Sequence, residues 1–452
     1  MTRQPAPLIL VLLVALAAPW QSRGAARARV GGTLRLALLP EVRADRAGET
    51  PEGAVVRGLL ASPLCRLGPA STPQDSPFVG FSRGADALLL APRQGIRFPS
   101  GTELRVQELA RSFLRELDRS PVARGLLAPV REARAALERA AAEGGTGLAL
   151  PLLHPWPDLE ASLCHPVFTP ALGDGTEGIG PYLADGADRG RASPTFVEGR
   201  PFPDALALST SSRRAAQRAL ESRSAQLLLG DGAEPPSTAL FATYLVSREP
   251  ARAVVAGLLP RLDRAALVRS FVGGHAVPMP GLLPPALGGP DRPSPAAAPA
   301  RGYGTALLLY AADRPSQRAV AERLQILLRD AGVRLTLAPR SPEALDRDWR
   351  GGQGDLALRS VLLPPLPAPA LAVVLELSGD AAASRKELAT LGAVTDAQER
   401  AARARERALQ LSGTLPVVPL YVEALRARLD PALVDVRRDG SGLLVLDDAW
   451  WP

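Results

Sequence analysis

Apolar residues recur along the chain with the spacing of helices in some segments and of strands in others. The segment "GIRFPSGTELRVQELARSFLREL" (95–117) has the pattern of a strand end, a Gly-Thr turn and a helix. Apolar residues of that helix recur at spacings of three and four, which places them on one side: Val106, Leu109, Ala110, Phe113, Leu114 and Leu117. This side has to pack against a core, so the pattern predicts a strand-turn-helix with a structural role.

Strand and helix patterns alternate through the rest of the sequence. Strands are predicted at 31–40, 86–92, 146–153, 204–209 and 225–231, and helices at about 129–143 and 212–224. A Gly-Pro turn at 178–184 leads into a further strand. The clearest unit is a strand at 305–311, a helix opened by Pro315 and ended by Gly332, and a second strand, "VRLTLAP". Such a crossover builds a parallel sheet, so the fold class is predicted as α/β.

Length and charge narrow the class of protein. The chain has 452 residues, of which 46% are hydrophobic, enough for a large core divided into two or three lobes. The formal net charge is +7, but arginines alternate with acidic residues along helices such as "RAALERAAAE". Because no basic block with interleaved aromatics is present, we expect no nucleic-acid partner.

The N-terminus has the pattern of a secretory signal peptide, which we place at residues 1–28. Arg3 precedes a short apolar run, "LILVLLVALAA", and small residues follow in "SRGAARA". The run is short for a membrane span, although an uncleaved anchor is the alternative. No cysteine lies near the cleavage region, so the prediction is an exported, periplasmic protein without a lipid anchor.

Two cysteines, Cys65 and Cys164, remain in the exported chain. In an oxidising compartment they can form a disulfide that closes a long loop. Two separate buried thiols are the alternative, and the sequence leaves both open.

Six segments, in this order, resemble conserved phrases of one protein family. They are "GGTLRLAL" (31–38), "GIRFPSGTELRVQELARSF" (95–113), "GIGPYLA" (178–184), "LLPRLDRAALVRSFVGGHAVPMPGLLPPAL" (258–287), "QRAVAERLQILLRDAGVRLTL" (317–337) and "LPVVPLYVEA" (415–424). The family is the dipeptide, oligopeptide and nickel-binding family (family 5) of periplasmic solute-binding proteins that serve ABC importers. The chain resembles a divergent member of it.

The resemblance implies a two-lobed periplasmic-binding-protein fold with a hinge and an additional small subdomain. Lobe I would comprise 29–42, 165–240 and 415–452; the small subdomain, attached to lobe I, 43–164; and lobe II, 241–414. A monomer without cofactor or enzymatic activity would capture a small molecule or peptide between the lobes. The closed form would then deliver it to the ABC permease subunits.

Candidate ligand contacts also come from the resemblance: Glu41, Tyr244, Arg359, Ser360 and Tyr421. One departure concerns the ligand itself. Peptide-binding members often carry an aspartate for the peptide amino terminus after the strand that here ends "DLALRS", but this chain continues "VLLPPLPAPALAVVLEL", with no acid before Glu376. Because a buried ammonium without a carboxylate is strongly disfavoured, a free peptide is a poor ligand. A divergent sensor or scaffold that lost transport is the alternative function.

Other chemistry has weaker support in the sequence. "GFSRG" (80–84) matches the nucleophile pattern of serine hydrolases at Ser82, but a strand rather than a helix follows, so we interpret it as a turn between two strands. His154, Cys164 and His165 lie close together and His275 is the remaining histidine, yet their spacing fits no usual zinc pattern. A hydrolase is therefore the least favoured function, and no metal site is expected.

Overall fold

The computed structural model describes residues 30–40, 42, 50–84, 86–232, 239–249, 251–252, 262–273, 276–291, 304–330 and 332–451. The predicted signal peptide, 1–28, lies outside this part of the chain. Within the part described, no helix combines the length and the apolar character needed to cross a membrane.

The described α-helices are numbered in chain order. They are α1 (Pro51–Leu60), α2 (Val106–Arg119), α3 (Pro121–Leu127), α4 (Ala133–Glu143), α5 (Leu159–Leu163), α6 (Arg213–Glu221), α7 (Arg264–Leu267), α8 (Pro315–Arg329), α9 (Pro342–Arg350), α10 (Pro367–Ser378), α11 (Ala381–Gly392) and α12 (Ala397–Leu411). A π-helical turn, Val268–Val272, continues α7, and short 3₁₀ turns lie at Pro69–Ser71 and Pro285–Leu287.

The described strands are numbered in the same way. They are β1 (Thr33–Leu38), β2 (Val79–Arg83), β3 (Ala87–Pro92), β4 (Leu148–Pro151), β5 (Ala171–Leu172), β6 (Glu177–Gly178), β7 (Tyr182–Ala184), β8 (Arg189–Ala192), β9 (Ala205–Thr210), β10 (Leu227–Leu229), β11 (Leu240–Ser247), β12 (Ala276–Pro278), β13 (Gly304–Ala311), β14 (Val333–Arg340), β15 (Leu356–Leu363), β16 (Val417–Glu423), β17 (Ala427–Leu429), β18 (Arg437–Arg438) and β19 (Leu444–Val445).

Two six-stranded mixed sheets organise the molecule. The first sheet has the order β17-β10-β1-β9-β8-β7, with β1 parallel to both β9 and β10. The second has the order β12-β16-β11-β15-β13-β14, with β13 parallel to β14. The strand-helix-strand crossover predicted at 305–339 is therefore confirmed as β13-α8-β14, and its helix buries Val320, Leu324 and Leu328.

The strand-turn-helix predicted from residues 95–117 is also confirmed in its helix, α2. Of its six predicted face residues, five are buried and Leu114 is partly buried. The helix predicted at 129–143 begins later, at Ala133. Residues just before it are drawn into a β-bridge between Val130 and Leu152, and Glu132 adopts a left-handed conformation with φ 46°.

A small unit, residues 79–163, consists of the antiparallel sheet β2-β3-β4 and helices α2 to α5. One hydrophobic core contains both this unit and one face of the second sheet with its helices; its members include Leu90, Phe113, Tyr244 and Val373. Helices α3 and α10 meet closely: a Cβ placed on Gly125 would lie 2.7 Å from the Cα of Val373. The small unit therefore packs directly on the second sheet's helical layer.

The chain passes from one sheet to the other at positions that differ from the lobe and subdomain boundaries expected from the resemblance. Helix α1, expected in the small subdomain at 43–164, packs in the core of the first sheet through Val55, Val56 and Leu59. Strand β16, expected with lobe I at 415–452, pairs with β11 and β12 of the second sheet. The chain then returns to the first sheet at β17, which pairs with β10.

Cys65 and Cys164 are joined by a disulfide, with their Cα atoms 4.5 Å apart. Cys65 follows α1 and Cys164 caps α5, so the bond ties together the two chain ends that flank the small unit.

Candidate functional site

The largest described cavity at the junction of the two sheets has a volume of about 390 Å³; we call it the junction cavity. On the side of the first sheet it is lined by Val42, Thr50, Glu52, Arg213 and Arg426. On the side of the second sheet it is lined by Phe241, Phe271, Arg314, Ser316 and Glu423. It thus lies where the chain crosses between the sheets.

The start of α1 places an acid in the wall of the junction cavity. Thr50 is the N-cap, since its hydroxyl accepts a hydrogen bond from the Gly53 N–H at 2.9 Å, and Pro51 follows at the first helical position. Glu52 is 4% exposed, and its Oε1 accepts from the Arg426 N–H at 2.9 Å and from Arg426 Nε at 3.3 Å. Burial raises the pKa of Glu52 and outweighs the opposing charge of Arg426.

The opposite wall combines a cation with an aromatic ring. The guanidinium of Arg314, the N-cap residue of α8, lies 4.5 Å from the ring centroid of Phe241 on β11. Glu423, the last residue of β16, is buried beside it in the same wall. An apolar ring surface bordered by charges of both signs can hold a small solute that has apolar and ionic parts.

The residues predicted as ligand contacts are not brought together at this cavity. Glu41 lies outside the described residues. In the second sheet Tyr244 is the register partner of Arg359, whereas Thr243 is the partner of both Ser360 and Tyr421. Because neighbouring residues of a strand point to opposite faces, Tyr244 and Arg359 lie on one face of the sheet and Ser360 and Tyr421 on the other.

Each of these side chains has a partner or a place in the core. Tyr244 is fully buried, and its hydroxyl donates to the Leu282 carbonyl at 2.9 Å; burial raises the pKa of its phenol. Ser360 Oγ lies 2.8 Å from Thr243 Oγ1 and accepts from Gln317 Nε2 at 2.7 Å. Tyr421 is also fully buried, and burial raises its pKa. A ligand contact at these positions stays a prediction.

The altered stretch after Ser360 is buried in the structure. Strand β15 continues to Leu363, and α10 then packs against α3. The carbonyl of Leu362 accepts a hydrogen bond from His165 Nε2 at 3.1 Å, while His165 Nδ1 accepts from the Val167 N–H at 3.2 Å. Glu376 accepts from Arg124 Nε of the small unit at 2.8 Å. The first acid of this stretch is therefore committed to an ion pair between the small unit and α10.

The residues considered for hydrolase or metal chemistry belong to a strand, a disulfide or an aromatic contact where the structure describes them. Ser82 lies within β2, paired with Leu89, rather than in a turn, because the strand extends to Arg83 before the chain reverses. Cys164 is in the disulfide, and His154 packs edge-on against Trp156 with ring centroids 6.0 Å apart. His275 lies outside the described residues. Within the described ranges, no three histidine, cysteine or carboxylate side chains are arranged to hold a metal ion.

Sequence reasoning missed the residues that line the junction cavity. Phe241 lies three residues before Tyr244 in "LFATY" (240–244), and Glu423 lies two residues after Tyr421 in "LPVVPLYVEA" (415–424). A usable signal was their position at the ends of the two strands that lead from one sheet to the other. For Glu52 the only signal in the sequence is "TPE" (50–52), a pattern that indicates the start of a helix.

No protein-family model and no curated protein matches the sequence. Solved structures do match over nearly the whole chain. The murein tripeptide binding protein MppA of Escherichia coli has a TM-score of 0.70 at 16% identity, covering 94% of this chain and 98% of that protein. The periplasmic binding protein DppA of Helicobacter pylori, in complex with the peptide STSA, has a TM-score of 0.67 at 14% identity, with coverage of 94% and 98%.

NikA of Staphylococcus aureus, in complex with Ni(L-His)2, has a TM-score of 0.65 at 14% identity and covers 93% of this chain and 100% of that protein. The unliganded open form of MppA gives a TM-score of 0.57, compared with 0.70 for the other MppA structure. The chain has the α/β, two-lobed periplasmic-binding-protein fold that the resemblance predicted.

Proposed function

We propose that the chain is a divergent member of the peptide- and nickel-binding family and acts as a periplasmic solute-binding receptor. It would capture a peptide-like or other small organic solute between its lobes and present it, as a monomer, to the permease of an ABC importer. It would be exported by the signal peptide at 1–28 and would act as a binding protein rather than an enzyme. The fold supports this proposal, since the similar structures are binding proteins.

The observation that carries the proposal is the junction cavity. Its volume of about 390 Å³ falls in the usual range of small-molecule sites, roughly 300–1,000 Å³. It lies between the two sheets, so closure of one lobe on the other would remove a bound solute from water. The wall offers Phe241 for apolar contact and Arg314 and Glu423 for ionic groups. These features favour a compact solute over a long peptide.

The experiment is ligand discovery with a filled-cavity variant. Protein purified from the periplasm is examined by native mass spectrometry, and a panel of peptides, opines and sugars is screened for a rise in melting temperature. Ala319 lines the cavity from α8, so Ala319→Phe should remove the rise. Ala382 is exposed on α11, so Ala382→Phe should keep it. A wild-type protein that co-purifies with no solute and responds to no compound contradicts the proposal.

A second function, a sensor or scaffold without transport, is favoured by the shared core. Helix α10 joins the small unit to the second sheet through α3, which would restrict the opening that a transport receptor needs. Small-angle scattering with and without solute separates the two functions. A receptor should show a change in radius of gyration, whereas a fixed scaffold should show none. Neighbouring genes give an independent check: permease and ATPase genes for a receptor, a kinase or regulator for a sensor.

A further inference from the structure

A second, smaller cavity lies between the small unit and the second sheet. It has a volume of about 60 Å³, and we call it the arginine chamber. Its polar lining consists of Arg119, Ser120, Arg314, Gln317, Arg359 and Ser360. Asp346 of α9 is the one carboxylate among its described lining residues. The chamber therefore has three guanidinium groups for one carboxylate.

That carboxylate already accepts hydrogen bonds from three arginines. Asp346 Oδ1 accepts from Arg359 Nη2 at 2.5 Å and from Arg124 Nη2 at 2.9 Å, and its Oδ2 accepts from Arg350 Nε at 2.9 Å. Glu376, the nearest further acid in the network, pairs with Arg124. Asp346, with a single negative charge, is thus shared among Arg359, Arg124 and Arg350.

Arg359 has a buried hydrogen-bond donor that lacks an acceptor. Its side chain is 6% exposed, and its Nη1 has no hydrogen-bond partner in the described part of the chain. A buried donor without an acceptor costs about 1–3 kcal/mol, and more when it is charged. The polar neighbours are bonded elsewhere: Gln317 is bonded to Ala311 and Ser360, and the Ser360 hydroxyl is bonded to Gln317 and Thr243.

We propose that the arginine chamber binds one small anion, which accepts a hydrogen bond from Arg359. A volume of about 60 Å³ holds roughly two to four waters, so it admits chloride, an inorganic oxyanion or a small carboxylate such as acetate, and excludes larger organic anions and peptides. The anion would stabilise the contact between the small unit and the second sheet. The chamber shares Arg314 with the junction cavity, but the proposal does not rest on solute capture there.

Thermal unfolding tests the proposal at constant ionic strength. Sodium chloride, phosphate or acetate is titrated against sodium gluconate, whose anion is too large for the chamber. The wild-type melting temperature should rise along a saturating curve with at least one of the three salts, because a specific site saturates. Stabilisation by chloride or phosphate identifies an inorganic anion, and stabilisation by acetate alone identifies a carboxylate.

Single-residue variants test whether the salt-dependent rise in melting temperature comes from the arginine chamber. Arg359→Gln should abolish the saturating rise; should that protein fail to fold, Arg119→Gln, which changes an exposed chamber residue, should weaken the apparent affinity by about tenfold. Arg350→Gln is the matched control, since Arg350 bonds the same Asp346 without lining the chamber, and its titration should match the wild type.

Diffraction gives an independent readout. Crystals grown with bromide should show an anomalous peak beside Arg359. The proposal is overturned if no anion gives a saturating rise, if Arg119→Gln and Arg350→Gln titrate alike, or if the chamber contains only water.

Discussion

Gly125 on α3 lies against the backbone of Val373 on α10, so closely that a Cβ on Gly125 would lie 2.7 Å from the Val373 Cα and 3.0 Å from the Ala372 carbonyl oxygen. Both neighbours are backbone atoms, which cannot move aside as a flexible side chain can. We therefore expect Gly125→Ala to lower the free energy of unfolding by about 1–3 kcal/mol, although alanine is the better helix former.

Gly58 in α1 is the matched control for Gly125. A Cβ there would meet nothing within 4 Å, so Gly58→Ala should raise the free energy of unfolding by about 0.5–1 kcal/mol. Urea unfolding of both variants measures the difference. Equal stability of the two variants would show that α3 and α10 are not in this close contact.

The Cys65–Cys164 disulfide should contribute substantially to stability, because it closes a loop with a sequence separation of 99 residues. Replacing both cysteines by alanine should lower the free energy of unfolding by about 2–5 kcal/mol. Urea unfolding with and without reductant is the measurement. The double variant should be insensitive to reductant; a wild type that is equally insensitive would mean that the bond is absent in solution.

The ion pair between Arg400 of α12 and Asp158 should depend on both partners. Arg400 has a side-chain exposure of 4%, and its Nε donates to Asp158 Oδ2 at 2.8 Å. Asp158→Asn leaves a buried guanidinium without its countercharge and should cost about 3 kcal/mol of unfolding free energy.

The exposed pair Arg403–Glu399 on the same helix is the control for Asp158. Its side chains are 51% and 53% exposed, so Glu399→Gln should cost less than about 1 kcal/mol. Chemical unfolding of both variants decides the matter, and similar losses would argue against a buried Arg400.

His165 should make stability depend on pH. Burial lowers its pKa to about 4 from an ordinary value of 6.5, because the imidazole is buried in its neutral form. The unfolded state then binds a proton that the folded state does not, so stability is complete above pH 6.5 and falls as the pH decreases from 6.5 to 4. The loss should be roughly 3 kcal/mol.

The contribution of His165 is the difference in unfolding free energy between the wild type and His165→Gln at each pH. His165→Gln should be less stable than the wild type at pH 7.5, with the gap narrowing as the pH falls to 4.5. Urea unfolding at several pH values gives both curves. A gap that stays constant would mean that His165 is accessible to protons in the folded protein.

Arg105 occupies the N-cap of α2 without making a side-chain cap, and Glu108 stands at the third helical position. Arg105→Thr should create the reciprocal Thr-Glu capping box and raise the free energy of unfolding by about 1 kcal/mol relative to Arg105→Ala. The alanine variant loses the same ion pair with Glu103, so the comparison isolates the cap. Equal melting temperatures of the two variants would contradict this assignment.

The local elements could be predicted because their signals lie within single segments. The spacing of Phe113 and Leu117 was sufficient for α2, and Pro315 was sufficient for the start of α8. The start of α4 was misplaced because residues before it bond to β4, a contact that no local pattern contains.

The candidate site could not be predicted in the same way. Phe241, Arg314 and Glu423 converge only through the pairing and crossing of distant strands. Similarly, the opposite faces of Arg359 and Ser360 follow from the strand geometry of β15 and not from their proximity in sequence. The two cysteines admitted both a bond and separate thiols until their Cα separation was known.

The contact between α3 and α10 has a consequence for how the chain acquires its structure. Gly125 and Val373 are separated by more than half the length of the chain. The small unit is therefore synthesised long before the helix that covers it, and its apolar surface stays in water during that interval. Such distant contacts slow folding and expose intermediates to aggregation. We expect the small unit and α10 to become protected from hydrogen exchange together, in a late and concerted step of refolding.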